Sequence, residues 1–120
     1  LTGAQLKDVL EQQFIGCGQT TASGQKILQV SAGFTYSWSA SAAPCSKVSN
    51  MQLNGVPIDP VATYRVTVNN FLAGGGDNFT KMTAGTNLYT SGVDLDAFVA
   101  YITAHSPVAP GPQNRITVLP

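Results

Sequence analysis

The residues best suited to hold a ligand lie in one stretch, Asn69-Asn70-Phe71-Leu72-Ala73-Gly74-Gly75-Gly76-Asp77-Asn78-Phe79. An aromatic side chain is followed by three glycines and then a carboxylate. Glycine lets a backbone approach a flat or bulky group closely, with its N–H groups free to donate. An aromatic face stacks on a heterocycle, and a carboxylate accepts from paired hydroxyls. A nucleoside needs that combination, with Phe71 against the base and Asp77 on the ribose diol. The plainer reading of the same residues is a glycine-rich surface turn with Phe71 in the core. The stretch is not a P-loop, since no Gly-Lys-Ser/Thr follows, and not a dinucleotide turn, since no helical pattern follows at once.

Other chemistry is sparse. The single histidine, His105, falls at the end of a predicted helix, where it complements the helix dipole. One histidine and two distant cysteines cannot close a zinc site. A Ser/His/Asp triad would have to use His105, and no serine sits in a G-x-S-x-G context. The six acids suggest no catalytic pair, and Asp8 and Glu11 read as exposed positions of a first helix. The segment therefore carries no catalytic constellation of its own.

The totals narrow the class. A length of 120 residues suggests one domain spanning 1–120. Hydrophobic residues at 43% exclude a disordered composition. Charged residues are only 10%, against about 25% in an average soluble protein. Six basic and six acidic residues cancel, which argues against nucleic acid or an anionic membrane as partner. No apolar run approaches the ~18 residues of a membrane span. The chain opens on a helix start, without an initiator Met or a signal peptide, as expected of a piece of a longer protein. Cys17 and Cys45 are either two unpaired thiols or a disulfide, the latter suiting the low charge and Ser/Thr/Gly-rich surface of a secreted protein. Asn78-Phe79-Thr80 matches a glycosylation sequon.

The elements that must position these residues follow from the patterning. Thr2-Gly3-Ala4-Gln5 predicts a capping box, with Leu6, Val9, Leu10 and Phe14 on one helical face and an end near Phe14. Cys17 to Gln25 reads as a loop. Ile27-Leu28-Gln29-Val30, Gly33–Ser39 with alternating Phe34, Tyr36 and Trp38, Val48–Leu53 and Tyr64–Val68 read as strands. Asn54-Gly55 suits a tight hairpin turn. Gly74 to Ser91 is irregular. A second helix starts at Val93-Asp94, capped by Asp94, with Leu95, Phe98, Val99 and Ile102 as its stripe and prolines 107, 110 and 112 behind it. Arg115–Leu119 is a last strand. The fold class is α+β, a mixed or antiparallel sheet of about four to five strands flanked by two helices.

"FLAGGGDNF" resembles the F-L-A-x-G-G-D-x-F signature of the C-terminal domain of 5'-nucleotidases, a family that includes UDP-sugar hydrolases and 2',3'-cyclic-nucleotide phosphodiesterases. "LTGAQLKDVLEQQ", "ILQVSAGFTYSW", "LNGVPIDPVATYRVTVNNFLAGGGDNF" and "LDAFVAYITAHSPVAP" resemble further family blocks in the same order, so the likeness covers nearly the whole chain. It implies a secreted, extracellular or periplasmic phosphohydrolase. Its two divalent metal ions would sit in an N-terminal metallophosphatase domain of the same chain, absent from this segment. It also implies that Phe71, Gly75, Gly76 and Asp77 meet the nucleotide or nucleoside. The family's second base-stacking aromatic falls just before the L-Q-V run, where this chain has Ile27; Gln29 would reach a base edge. The family's domain begins earlier, with a P-F-x-N-type segment and phosphate-binding arginines, and neither Arg65 nor Arg115 takes over that role. The rival expectation, favoured by Ile27, is a non-catalytic extracellular binding or assembly module. An isolated piece could also dimerise through an exposed apolar face or sheet edge.

Overall fold

The computed structural model describes residues 1–120. Helix α1 spans Gly3–Glu11. Its start is the expected capping box: the Thr2 hydroxyl accepts from the Gln5 N–H at 3.2 Å, and Gln5 Oε1 accepts from the Thr2 N–H at 2.8 Å. The helix stops at Glu11, and three-residue turns carry the chain on to Phe14.

Strands β1 (Phe34–Ser39), β2 (Val48–Leu53), β3 (Val56–Pro57) and β4 (Ile116–Leu119) form one sheet in the order β3-β2-β1-β4. β1 and β2 are antiparallel, and β2 and β3 form a tight hairpin with Asn54 and Gly55 at φ +51° and +79°. β4 runs parallel to β1, which makes the sheet mixed and the fold α+β. Thr35 pairs with Gln52 and Ser37 with Ser49, so β2 carries one extra residue there, a bulge where Asn50 takes φ +51°. The short helix α2 (Asn70–Ala73) and two 3-10 turns, Gly76–Asn78 and Thr80–Ala84, follow the long central loop. Helix α3 spans Asp94–His105.

Helix α1 lies between two apolar clusters. Leu10 and Phe14, one turn apart, meet Tyr36 and Val48 of the sheet, with Phe14 and Trp38 ring centroids 4.9 Å apart. Val9 turns instead to Phe79 and Met82 beyond the glycine loop, joined by Leu1, Leu28, Val68 and Leu72. One helix thus fixes the glycine loop relative to the sheet. A disulfide joins Cys17, behind α1, to Cys45 in the β1–β2 loop.

Four expectations need correction. Residues 27–30 are not a strand: both edges of β1 are already taken, by β2 and β4. Side chains hold this segment instead. Gln13 Oε1 accepts from the Leu28 N–H at 2.6 Å, and the Arg115 guanidinium donates to the Val30 carbonyl at 2.8 Å. Residues 64–68 likewise form no strand, because only their first residue has a backbone partner. The stripe of α3 is not buried: Leu95, Phe98 and Val99 are each more than half exposed, since none of residues 1–120 packs across from them. Val93 is the N-cap of that helix, and Asp94 bonds only the adjacent Leu95 N–H.

Candidate functional site

Asn69 caps α2 by accepting the Leu72 N–H at 2.8 Å, and this turn carries Phe71. The three glycines behind it have different reasons to be there. A Cβ on Gly74 would meet nothing closer than 3.5 Å. Gly75 has φ +84°, the left-handed region where a side chain is costly. At Gly76 a Cβ would fall 2.6 Å from the Phe71 ring, so this glycine lets the ring lie against the backbone. Phe71 remains 58% exposed, while Phe79 is 1% exposed and belongs to the second cluster. The core aromatic of this loop is therefore Phe79, and Phe71 is presented outward.

Asp77 follows directly, with φ +54°, a conformation that aspartate and asparagine tolerate better than most residues. Its Oδ1 accepts from Lys26 Nζ at 2.5 Å, both side chains being partly exposed. Asp77 Oδ2 makes no hydrogen bond within the chain. The Asp77 carbonyl accepts from Gln19 Nε2 at 2.8 Å.

The loop is stitched to α1 by amide side chains that sequence reasoning passed over. Gln12 Nε2 donates to Thr80 Oγ1 at 2.9 Å, and Gln12 Oε1 accepts from the Lys81 N–H at 2.8 Å. Gln19 Nε2 also donates to the Gln12 carbonyl at 3.0 Å. Gln13 Oε1 takes the Tyr36 hydroxyl at 3.1 Å in addition to Leu28, and its carbonyl takes the Lys26 N–H at 2.9 Å. Glu11, read from sequence as exposed, is 3% exposed and accepts the Lys47 and Val48 N–H groups at 3.0 and 2.8 Å. The signal was the polar run Glu11-Gln12-Gln13 leading into buried Phe14, with Gln13, three residues after Leu10 and four after Val9, continuing the apolar face. Burial pushes the Tyr36 phenol above its ordinary value.

Phe71, Gly75, Gly76 and Asp77 are thus brought together on one loop, with Lys26 as an added member. Ile27 and Gln29 line a different surface. With Trp38, Arg115 and Val118 they wall an open cavity of about 610 Å³ that does not include Phe71 or Asp77. Lys26 and Leu28 face the glycine loop and the second cluster, while Ile27 and Val30 pack on the first. No group of three or more His, Cys, Asp and Glu side chains assembles into a metal site. No helix is long and apolar enough to cross a membrane.

This glycine loop and mixed sheet define a known class. Residues 1–85 match the family "5'-nucleotidase, C-terminal domain", and the chain belongs to that family. A 5'-nucleotidase-related protein of Glossina morsitans morsitans is 34% identical, over 99% of this chain and 22% of its own length. A snake venom 5'-nucleotidase of Macrovipera lebetinus is 30% identical, over 99% of this chain and 30% of its own. The crystal structure of a 5'-nucleotidase precursor from Thermus thermophilus superposes with a TM-score of 0.83 at 34% identity, covering 99% of this chain and 24% of that one. The chain thus spans between 22% and 30% of the length of these relatives.

Proposed function

We propose that residues 1–120 form one domain, an N-terminally shortened C-terminal domain of a secreted nucleotide phosphohydrolase, and that its glycine loop binds the nucleoside part of the substrate. The observation that carries this reading is the Phe71 ring, laid on Gly76 yet 58% exposed, beside a carboxylate with a free oxygen on the next residue, Asp77. A base stacks on the outer face of that ring, and the ribose hydroxyls donate to Asp77 Oδ2. Lys26, on Oδ1, holds that carboxylate in place. The venom origin of one relative supports secretion. Phosphoester hydrolysis itself belongs to two divalent metal ions in a metallophosphatase domain elsewhere in the same chain, so the 120 residues alone turn over no nucleotide with any divalent metal.

The test is Phe71→Ala in the full-length enzyme. KM for nucleotides rises about tenfold, in line with roughly 1.5 kcal/mol of lost ring stacking, while metal content stays unchanged. An unchanged KM would overturn the assignment of the ring to the substrate. A second reading, a non-catalytic extracellular binding module, is favoured by Ile27, which lies in another cavity and supplies no second aromatic wall. Full-length protein without phosphatase activity in any divalent metal would support it.

A further inference from the structure

Residues 64–68 hold a pattern that the sheet does not use. Tyr64, Val66 and Val68 alternate with Arg65 and Thr67, the signature of a half-buried strand. Yet the backbone groups of Arg65, Val66, Thr67 and Val68 make no hydrogen bond within the chain.

One strand partner has already begun. The Leu1 nitrogen donates to the Tyr64 carbonyl at 3.1 Å, and the Tyr64 N–H donates to the Leu1 carbonyl at 2.8 Å. The Gly3 N–H donates to the Ala62 carbonyl at 3.0 Å, and between them Thr2 and Thr63 form an antiparallel bridge. Leu1 and Tyr64 are therefore a hydrogen-bonded pair of an antiparallel ladder, and Thr2 and Thr63 the non-hydrogen-bonded pair beside it. The ladder runs into Leu1 with its register already set. Continued, it places the residue before Leu1 opposite Arg65, the second before it opposite Val66, and the fourth before it opposite Val68.

We propose that the free edge at residues 64–68 takes an antiparallel β-strand, formed by the stretch of the full-length protein that leads directly into Leu1. The chain's relatives are three to five times its length, which leaves ample sequence to supply it. Packing constrains its composition. Leu1 and Val68 both lean on the cluster of Val9, Phe79 and Met82. Side chains two and four residues before Leu1 fall on the same face as Leu1, Val66 and Val68, so both are apolar. This strand would also brace the root of α2, since Val68 precedes the Asn69 cap.

The test is a register-specific cross-link in the full-length protein. Cysteine placed at the residue immediately before Leu1 should join Arg65→Cys, because non-hydrogen-bonded antiparallel pairs bring side chains closest. Cysteine one residue further upstream should not join it. Absence of the first bond, or formation of the second instead, overturns the register. A measurement on the unaltered full-length protein does not depend on those variants folding. Val66 and Val68 amides should exchange with solvent as slowly as that of Tyr64, and free exchange at both would overturn the strand.

Discussion

At the scale of single residues, the glycine loop separates space from conformation. Gly75 is required by its φ of +84° and Gly76 by the ring lying on it, whereas Gly74 has neither demand. Gly76→Ala should therefore leave the fold intact, because the ring it meets can rotate away, but weaken nucleoside binding about tenfold, since roughly 1.5 kcal/mol of stacking goes with the displaced ring. Gly74→Ala should bind as the parent does. Calorimetric titration of both variants with adenosine and AMP checks this, and equal affinity for the two would mean that the Phe71 ring is not part of the site. The aromatic, the glycines and the acid could all be read from sequence. Lys26 could not, because it reaches Asp77 across 51 positions of chain. Ile27 and Gln29 are neighbours of Lys26 in sequence, yet successive residues of that segment face opposite ways.

At the scale of elements, what was legible is what local chemistry decides. The capping box at Thr2 and Gln5 and the Asn54-Gly55 turn are settled within a few residues and are present as expected, and β1 forms with Phe34, Tyr36 and Trp38 on the first cluster, although Ser37 on its other face is buried as well. The parallel pairing of β4 with β1 joins residues some 80 positions apart, and no local pattern announces it. Residues 27–30 read as a strand from their apolar run and 64–68 from their alternation, but a strand exists only where an edge is free to receive it. Gln13 explains how the first of these is held without a ladder. It serves Leu28, Tyr36 and the Leu10 carbonyl with one amide. Gln13→Ala leaves the Leu28 N–H and the Tyr36 hydroxyl without partners, and should lower stability by about 2–6 kcal/mol in urea unfolding, at about 1–3 kcal/mol per orphaned buried group. Tyr36 adds a pH signature. Its phenol is raised by burial, so the unfolded chain loses that proton first. The contribution is fully present below about pH 10 and is lost as pH climbs through the folded value. Tyr36→Phe should be somewhat less stable at neutral pH and should fall less steeply above pH 10. Parallel profiles for the two proteins would show that the phenol stays accessible.

At the scale of the whole molecule, the core is small for the length of chain. Only 13 of 120 residues are buried, and the radius of gyration of 15.2 Å exceeds the roughly 13.6 Å of a compact domain this size. The excess reflects α3, whose apolar stripe is exposed, and the long segment behind it. Two modest clusters on either side of α1 must then be held in register by something other than bulk burial. Part of that task falls to the polar run behind α1, and part to the disulfide. Cys17 and Cys45 lie 28 positions apart, and the bond ties the segment that carries Gln19, and so the Asp77 carbonyl, to the β1–β2 loop. Closing a loop of that length stabilises by about 3–4 kcal/mol in the chain-entropy model, a large share of the 5–15 kcal/mol typical of a folded domain. Replacing both cysteines by serine should thus lower the urea midpoint by about 1–4 M, given a slope of roughly 1–3 kcal/mol/M. The slope itself should change little if the same surface is exposed on unfolding. Nucleoside affinity in the surviving folded fraction should also fall, because the stitch from Gln19 to the glycine loop is anchored through the bonded segment. A midpoint shift without any change in affinity would confine the disulfide to stability and leave the loop held by Gln12 and Lys26 alone.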